Sequence, residues 1–152
     1  MSIVARLEPE ALLPDRELAA LVEAAKGDGA IVSFVGVARP ESIGGQRVDA
    51  LVLEHHPELT RQSLEEIAVA AGARFEVSHV RVVHRCGRVA AGAPIVFAGA
   101  ASRHRRAAFE AADYLMDRLK VEAVFWKREV DEAGSHWIEA AETDHADRDR
   151  WG

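Results

Sequence analysis

The chain has 152 residues, 49% of them apolar and 29% charged, and its formal net charge is −6. A chain of this length forms one domain with its own core, and its acidic balance argues against a protein that wraps nucleic acid, which needs a basic face. The lone cysteine excludes an intramolecular disulfide and fits a reducing compartment, and no apolar run approaches the ~20 residues of a membrane span, so we expect one cytoplasmic domain over residues 1–152, away from membranes.

The first half of the chain predicts alternating strands and helices. Runs of apolar and β-branched residues predict strands at residues 3–7, 30–38 and 47–55. One helix begins with Asp15 as its N-cap, and another opens near Thr60 and ends at Gly72. Pro40 and two glycines mark residues 39–46 as a mobile loop, so the strands on either side of it are predicted to pair as a hairpin.

The second half predicts four more strands and the longest helix. The strands are expected at residues 75–84, 95–101, 124–130 and 136–141, the last two joined by a turn. Residues 86–94 read as a glycine-containing connection. Ser102 is predicted to cap a helix over residues 103–120, and residues 142–152 form a polar, frayed tail. The pattern indicates an α+β domain with antiparallel, hairpin-rich sheets and helices packed on them.

A basic cluster lies at the start of the longest predicted helix, where Ser102, Arg103, His104, Arg105 and Arg106 follow one another. Free backbone N–H groups and the helix dipole favour an anion at that position, and arginine grips phosphate oxygens with two parallel hydrogen bonds. Cations in a first turn oppose the dipole unless something compensates for them. An anion site and a solvated basic turn therefore remain two interpretations of this cluster.

A second cationic group contains Lys120 and Lys127. Lys120 falls at a helix end, where a cation is favoured in any case. Lys127 lies in a predicted strand, and strand alternation places it on one face with Phe125, with Trp126 and Arg128 on the other. A lysine crowded by other cations loses proton affinity, which suits it to acid–base or nucleophilic work.

The other reactive side chains carry weaker signals. Arg39 opens the flexible loop, where it either reaches over a ligand or is an ordinary surface arginine. The seven histidines lack zinc-type spacing, so no metal site is predicted. Cys86 stands near two arginines, which permits a thiolate of lowered pKa, although a small buried residue is the commoner role.

At these residues the sequence resembles the large, catalytic subunit of molybdopterin synthase. The matching stretches occur in family order over nearly the whole chain: residues 29–36 with Arg39, Leu53-Glu54-His55 with Pro57, Val83-His84-Arg85 with Gly87, Ser102-Arg103-His104-Arg105 with Ala108-Phe109-Glu110, Met116-Asp117 with Leu119-Lys120, and Phe125-Trp126-Lys127-Arg128-Glu129. The last two stretches together are the most specific. Ala141 departs from the pattern, because some relatives carry an arginine there.

The resemblance implies an α+β, hammerhead-like fold and a sulfurtransferase that needs no cofactor and no protein-bound metal. Such subunits convert cyclic pyranopterin monophosphate into the dithiolene of molybdopterin. The sulfur arrives as a thiocarboxylate on the C-terminal glycine of a small ubiquitin-like partner, and two large subunits form the central dimer of a heterotetramer. The resemblance makes Lys120 and Lys127 the catalytic pair. It assigns substrate binding to Arg39, His104, Arg105, Phe34 and Arg128.

Two alternatives from other classes remain open at the level of sequence. One is a sulfurtransferase that carries a persulfide on Cys86, and the other is a non-catalytic regulatory module that senses an anion with its basic patch. The resemblance also has a geometric consequence for the site, which does not depend on either alternative. On one helix, residues 104 and 120 lie ~24 Å apart along the axis, so one small substrate touches both only if they come from different subunits of a dimer.

Overall fold

Eight strands form two four-stranded sheets in the computed structural model, which describes residues 1–152. The elements are β1 (Ser2–Glu8), α1 (Pro14–Ala24), β2 (Ala30–Val37), β3 (Ala50–His55), α2 (Pro57–Arg74), β4 (His79–Arg85), β5 (Gly87–Ala90), β6 (Pro94–Ser102), α3 (Arg105–Glu122), β7 (Phe125–Asp131), β8 (Gly134–Ile138) and α4 (Glu142–Asp149). This confirms the α+β class. None of the helices is long and apolar enough to cross a membrane.

The first sheet has the strand order β1-β4-β6-β2 and carries the main core. Its β1 and β4 run parallel, whereas β6 is antiparallel to both β4 and β2. Helices α2 and α3 cover one face, where Leu64 and Leu115 pack with Val82 of β4. Helix α1 covers the other face. Gly99 lets it approach closely, because a Cβ there would lie 2.8 Å from the Leu21 side chain.

The second sheet has the order β5-β3-β7-β8 and is antiparallel throughout. Its small core contains Ala38, Leu53 and Val89, with Phe125 packed against it. Phe125 also packs against the main core of the first sheet. The start of β7 is therefore the place where the two sheets join. The hairpin predicted near the C-terminus is confirmed as β7–β8.

The hairpin predicted across the loop is wrong. β2 pairs with β6 in the first sheet, and β3 pairs with β5 and β7 in the second, so residues 38–49 cross between sheets. Alternation and β-branching identify a strand, but they do not identify its partner. The connection predicted at residues 86–94 likewise contains β5, a strand too short to give a periodic signal.

Several predicted boundaries move because other residues take the capping role. Pro14 is the first residue of α1, so Asp15 lies in the first turn and is not the N-cap. The N-cap of α3 is His104, whose N–H donates to Ser102 Oγ. Gly72 lies inside α2, which continues to Arg74.

The frayed tail is also wrong, because residues 142–149 form α4 on the surface of α3. The Trp151 indole N–H donates to Asp117 Oδ2 over 2.6 Å, and its ring packs edge-on against Phe75 and Tyr114. Arg150 adds ion pairs of 2.7 Å with Asp113 and Asp117. The polar side chains of this segment make contacts within the chain. Composition alone does not distinguish such side chains from ones that only contact solvent.

Candidate active site

One end of the first sheet gathers most of the predicted catalytic residues. Pairing of β2, β6 and β4 brings Val37, Pro94 and His84 to the same end of that sheet. Helix α3 follows β6 and runs back along the sheet, so its last turn, with Lys120, returns to this end. Strand β7 begins here too, because Phe125 stacks on His84. We call this place the lysine junction, defined by His84, Lys120, Phe125 and Lys127.

Lys127 is held in the wall of the junction by the register of the second sheet. It lies between Leu53 of β3 and Ile138 of β8, and Leu53 is completely buried. Lys127 itself is half-buried, whereas Lys120 is exposed. Burial and the neighbouring Lys120 ammonium lower the pKa of Lys127 from 10.5 to about 8, against the opposing carboxylate of Asp144. A substantial fraction of Lys127 is therefore a neutral amine near pH 8.

The predicted alternation of β7 is confirmed, and it separates Arg128 from the lysines. Phe125 and Lys127 face the first sheet. Trp126 points away and is half exposed. Arg128 donates to Glu54 Oε1 over 3.2 Å and lies 6.0 Å above the Trp137 ring. The Arg128 guanidinium is thus occupied on the outer face of the second sheet.

The buried histidine of the junction, His84, was not singled out as a site residue from the sequence. Its Nδ1 lies 2.8 Å from the Arg85 carbonyl oxygen, and its ring stacks on Phe125 with centroids 4.3 Å apart. Burial, assisted by the charges of Lys127 and Lys120, lowers the pKa of His84 from 6.5 to about 3, against the opposing hydrogen bond to Arg85. His84 is therefore neutral. The available signal was its place at the end of a β-branched strand, on the face that points to the core.

The basic cluster lies at the opposite end of the first sheet. Ser102 is paired with Ala30 at the start of β2, and a shallow surface cleft there is lined by Ser102, His104 and neighbouring charged side chains. Both His104 and Arg105 are exposed. Within one chain, the length of α3 keeps His104 and Lys120 ~24 Å apart. The structure does not bring the basic cluster and the lysine pair together in a single subunit.

The remaining predicted residues lie on β2 and after it. Arg39 is exposed and follows the end of β2 on the side of the lysine junction. Phe34 lies in the middle of β2, opposite Ala98, and is 44% exposed on this edge strand of the first sheet. Of the predicted binding residues, Arg39 is therefore the one at the same end of the sheet as both lysines.

Cys86 lies at the end of the first sheet but is buried. Burial raises the pKa of its thiol, and only the nearby Arg85 opposes that effect. A thiol that resists ionisation is a poor nucleophile and a poor persulfide carrier. This environment disfavours the alternative in which Cys86 carries sulfur.

The fold and the site define an α+β enzyme-like domain with a paired-lysine centre, and comparison with known proteins identifies its family. The family model described as MoaE protein matches residues 7–122. The molybdopterin synthase catalytic subunit of Pseudomonas aeruginosa is 42% identical and covers 96% of this chain and 97% of its own length. That of Caulobacter vibrioides is 48% identical over 81% of this chain and 80% of its own. The structure of the molybdopterin biosynthesis MoaE protein from Burkholderia ambifaria superposes with a TM-score of 0.81, at 38% identity, over 99% of this chain and 97% of its own.

The chain belongs to the MoaE family of molybdopterin synthase catalytic subunits. The family resemblance and the fold class predicted from the sequence are both confirmed. The roles assigned to individual residues stay predictions.

Proposed function

We propose that this chain transfers two sulfurs from a thiocarboxylated ubiquitin-like small subunit to cyclic pyranopterin monophosphate, forming the dithiolene of molybdopterin. The observation that carries the proposal is the pair Lys120 and Lys127, in which one lysine is exposed and the other is half-buried with a pKa of about 8. Family membership supports this reaction, and the lysine pair supplies groups able to perform it.

The two lysines suit different tasks at the same pH. Lys127, as a neutral amine, accepts a proton or attacks a carbonyl carbon. Lys120, as an ammonium beside it, stabilises negative charge that develops on an acyl oxygen or on sulfur. Each transfer joins a sulfur to a pterin carbon and then breaks the acyl–sulfur bond with water, which leaves a carboxylate on the partner. Both of these steps need proton transfer and a group that stabilises an oxyanion.

The partner's C-terminal tail reaches the junction through a groove bounded by Lys120, Lys127 and the loop that begins with Arg39. The tail carries the sulfur, so it must lie within bonding distance of the pterin. Arg39 is exposed at this end of the sheet and adds a cation that binds an anionic ligand. Deletion of the partner's last two residues is expected to abolish sulfur transfer.

The substrate phosphate binds to His104 and Arg105 of a second copy of the chain. Within one subunit these residues lie at the far end of α3 from Lys120, so they serve the same small substrate only across a dimer. A two-fold axis brings the start of one α3 toward the end of the other and makes two equal sites. The free N–H groups of the first helical turn assist the basic side chains in binding phosphate.

Reconstitution tests the proposed function directly. The protein is mixed with a thiocarboxylated ubiquitin-like small subunit and cyclic pyranopterin monophosphate, and the dithiolene product is measured. We expect product with the wild-type chain, and no product when the partner ends in an ordinary carboxylate. Binding of the pterin without turnover would instead favour a regulatory module. Loss of activity in Cys86→Ser would favour the persulfide alternative.

A further inference from the structure

One nitrogen of His84 is left without a partner in the wall of the lysine junction. A carbonyl oxygen only accepts hydrogen bonds, so the Nδ1 that lies 2.8 Å from the Arg85 carbonyl oxygen is the protonated nitrogen. In the neutral ring Nε2 then carries a lone pair and no proton. No side chain or backbone group of the chain donates to it. His84 therefore presents a bare acceptor.

The bare nitrogen keeps a narrow contact with the outside of the protein. His84 is only 5% exposed, yet every fully buried side-chain nitrogen or oxygen in the chain has a hydrogen-bond partner. Since Nε2 has none, it lies in the small accessible part of the residue. Leu7 and Val96 flank His84 in the sheet, and Phe125 covers its ring. Phe125 precedes Lys127 by two residues on the same face of β7, so the His84 ring borders the lysine junction.

The surroundings fix both the orientation and the charge of this acceptor. The hydrogen bond to Arg85 and the stack on Phe125 hold the ring in one orientation, which preorganises Nε2 for a ligand. With a pKa of about 3, the ring stays neutral at any pH where the lysines work. A polar atom held this deeply gains free energy when a ligand donor reaches it.

We propose that Nε2 of His84 accepts a hydrogen bond from an N–H group of the ligand bound between Lys120 and Lys127. This inference rests on the proposed function for the identity of the ligands. Two sources offer that chemistry: a ring or amino N–H of the pterin, and a backbone N–H of the partner's C-terminal tail. His84 is then a binding residue of the site and fixes the ligand beside Lys127.

Nitrogen NMR of the wild-type protein tests the inference without any substitution. With ¹⁵N-labelled histidine, the Nε2 resonance of His84 has the shift of a bare imidazole nitrogen, and it moves upfield when the nitrogen accepts a hydrogen bond. Cyclic pyranopterin monophosphate and the small subunit with an ordinary carboxylate terminus are titrated separately. Movement with the pterin assigns the donor to the substrate, and movement with the small subunit assigns it to the tail. A resonance that moves with neither, although both bind, overturns the proposal.

Three substitutions distinguish the hydrogen-bonding role of Nε2 from the packing role of the His84 ring. His84→Asn retains a donor near Nδ1 for the Arg85 carbonyl but has no group near Nε2, whereas His84→Gln supplies an acceptor near Nε2. His84→Phe retains the stack on Phe125 and removes both nitrogens. We expect ligand binding to weaken about tenfold in the Asn and Phe variants and to recover in part in the Gln variant. Thermal unfolding identifies any variant that has lost its fold.

The substitutions also distinguish this inference from the proposed function. If the Phe variant binds both ligands as tightly as the wild type, the ring acts only as a spacer and the inference is wrong, while sulfur transfer by the wild type stands. If the wild type binds both ligands, moves the Nε2 resonance and yields no dithiolene, the inference survives and the proposed reaction does not.

Discussion

His84 and Phe125 stack with their ring centroids 4.3 Å apart and an angle of 27° between the ring planes, and this contact joins the two sheets. Lys127 follows Phe125 by two residues on the same face of β7. The position of Lys127 relative to Lys120 thus depends on how firmly β7 is held against the end of β4. The stability of the sheet junction and the electrostatics of the lysine pair are coupled through these two rings.

Phe125→Ala is expected to destabilise the protein by about 2 kcal/mol, which is below the range for a fully buried phenylalanine because Phe125 is only half-buried. Water admitted by the truncation also raises the pKa of Lys127, since burial is the main cause that lowers it. Denaturant unfolding measures the first effect. Phe109→Ala is the matched control, because Phe109 is 58% exposed, and an equal loss in both variants would contradict the role given to the stack.

Removal of the Lys120 charge is expected to raise the pKa of Lys127 toward its ordinary value, because the neighbouring ammonium disfavours a second positive charge. The chain has only three lysines, so competitive acylation followed by peptide mass spectrometry measures each of them, with the exposed Lys26 as reference. In Lys120→Ala, Lys127 should label more slowly at pH 8, and sulfur transfer should fall by about 10²-fold or more.

Lys120→Arg is the matched variant for that experiment, because it retains the positive charge. Its Lys127 should keep the lowered pKa, and sulfur transfer should fall less than in Lys120→Ala, since a guanidinium still stabilises negative charge but places it differently. If Lys127 labels identically in the wild type, the Ala variant and the Arg variant, the two lysines do not interact electrostatically and the assignment of their roles must change.

Asp144 of α4 acts on Lys127 in the opposite sense, because its carboxylate raises the pKa that burial and Lys120 lower. Asp144→Asn should therefore lower the pKa of Lys127 below about 8 and speed its acylation at neutral pH. Asp147→Asn is the control, since Asp147 is exposed on the same helix and makes no ion pair. Slower labelling in the Asp144 variant would contradict the attraction between this carboxylate and the Lys127 ammonium.

Because His84 is buried and neutral, we expect the stability of the protein to fall in acid. Its pKa is about 3 in the folded protein and 6.5 in the unfolded chain, so between these values the unfolded state binds more protons and stability falls as pH is lowered. One extra proton bound by the unfolded state changes the free energy of unfolding by up to about 1.4 kcal/mol per pH unit. Glu17 adds to this loss, because its pKa is also lowered in the folded protein, chiefly by its hydrogen bond to Arg6, and its stabilising contribution disappears in acid.

The contribution of His84 is isolated by comparison with His84→Phe, which retains every other titrating group. Urea unfolding at intervals from pH 6.5 to pH 3 should show a steeper loss of stability in the wild type than in the variant. Parallel curves would mean that His84 is not held neutral by the fold.

The sequence predicted the local elements better than it predicted their partners. Seven of the strands and three of the helices lie where periodicity places them, and the Phe125–Lys127 face of β7 follows from strand alternation. The pairing of β2 with β6 was missed because pairing depends on which faces the helices bury, which no short segment encodes. His84 was missed for a related reason. Its neutrality and its neighbours come from strands that are distant in sequence.

The separation of the two predicted site halves yields the sharpest test. His104 caps one end of α3 and Lys120 lies in the last turn at the other, ~24 Å away along the axis, so a substrate that contacts both requires two subunits. Chains carrying His104→Ala or Lys120→Ala should each be impaired as homodimers. A mixed heterodimer contains one site with both substitutions and one site with neither, so up to half of the wild-type activity per dimer should return. Heterodimers purified with two different affinity tags and showing no recovery would place both residues in one subunit's site or in unrelated roles, and the shared-site arrangement would have to be abandoned.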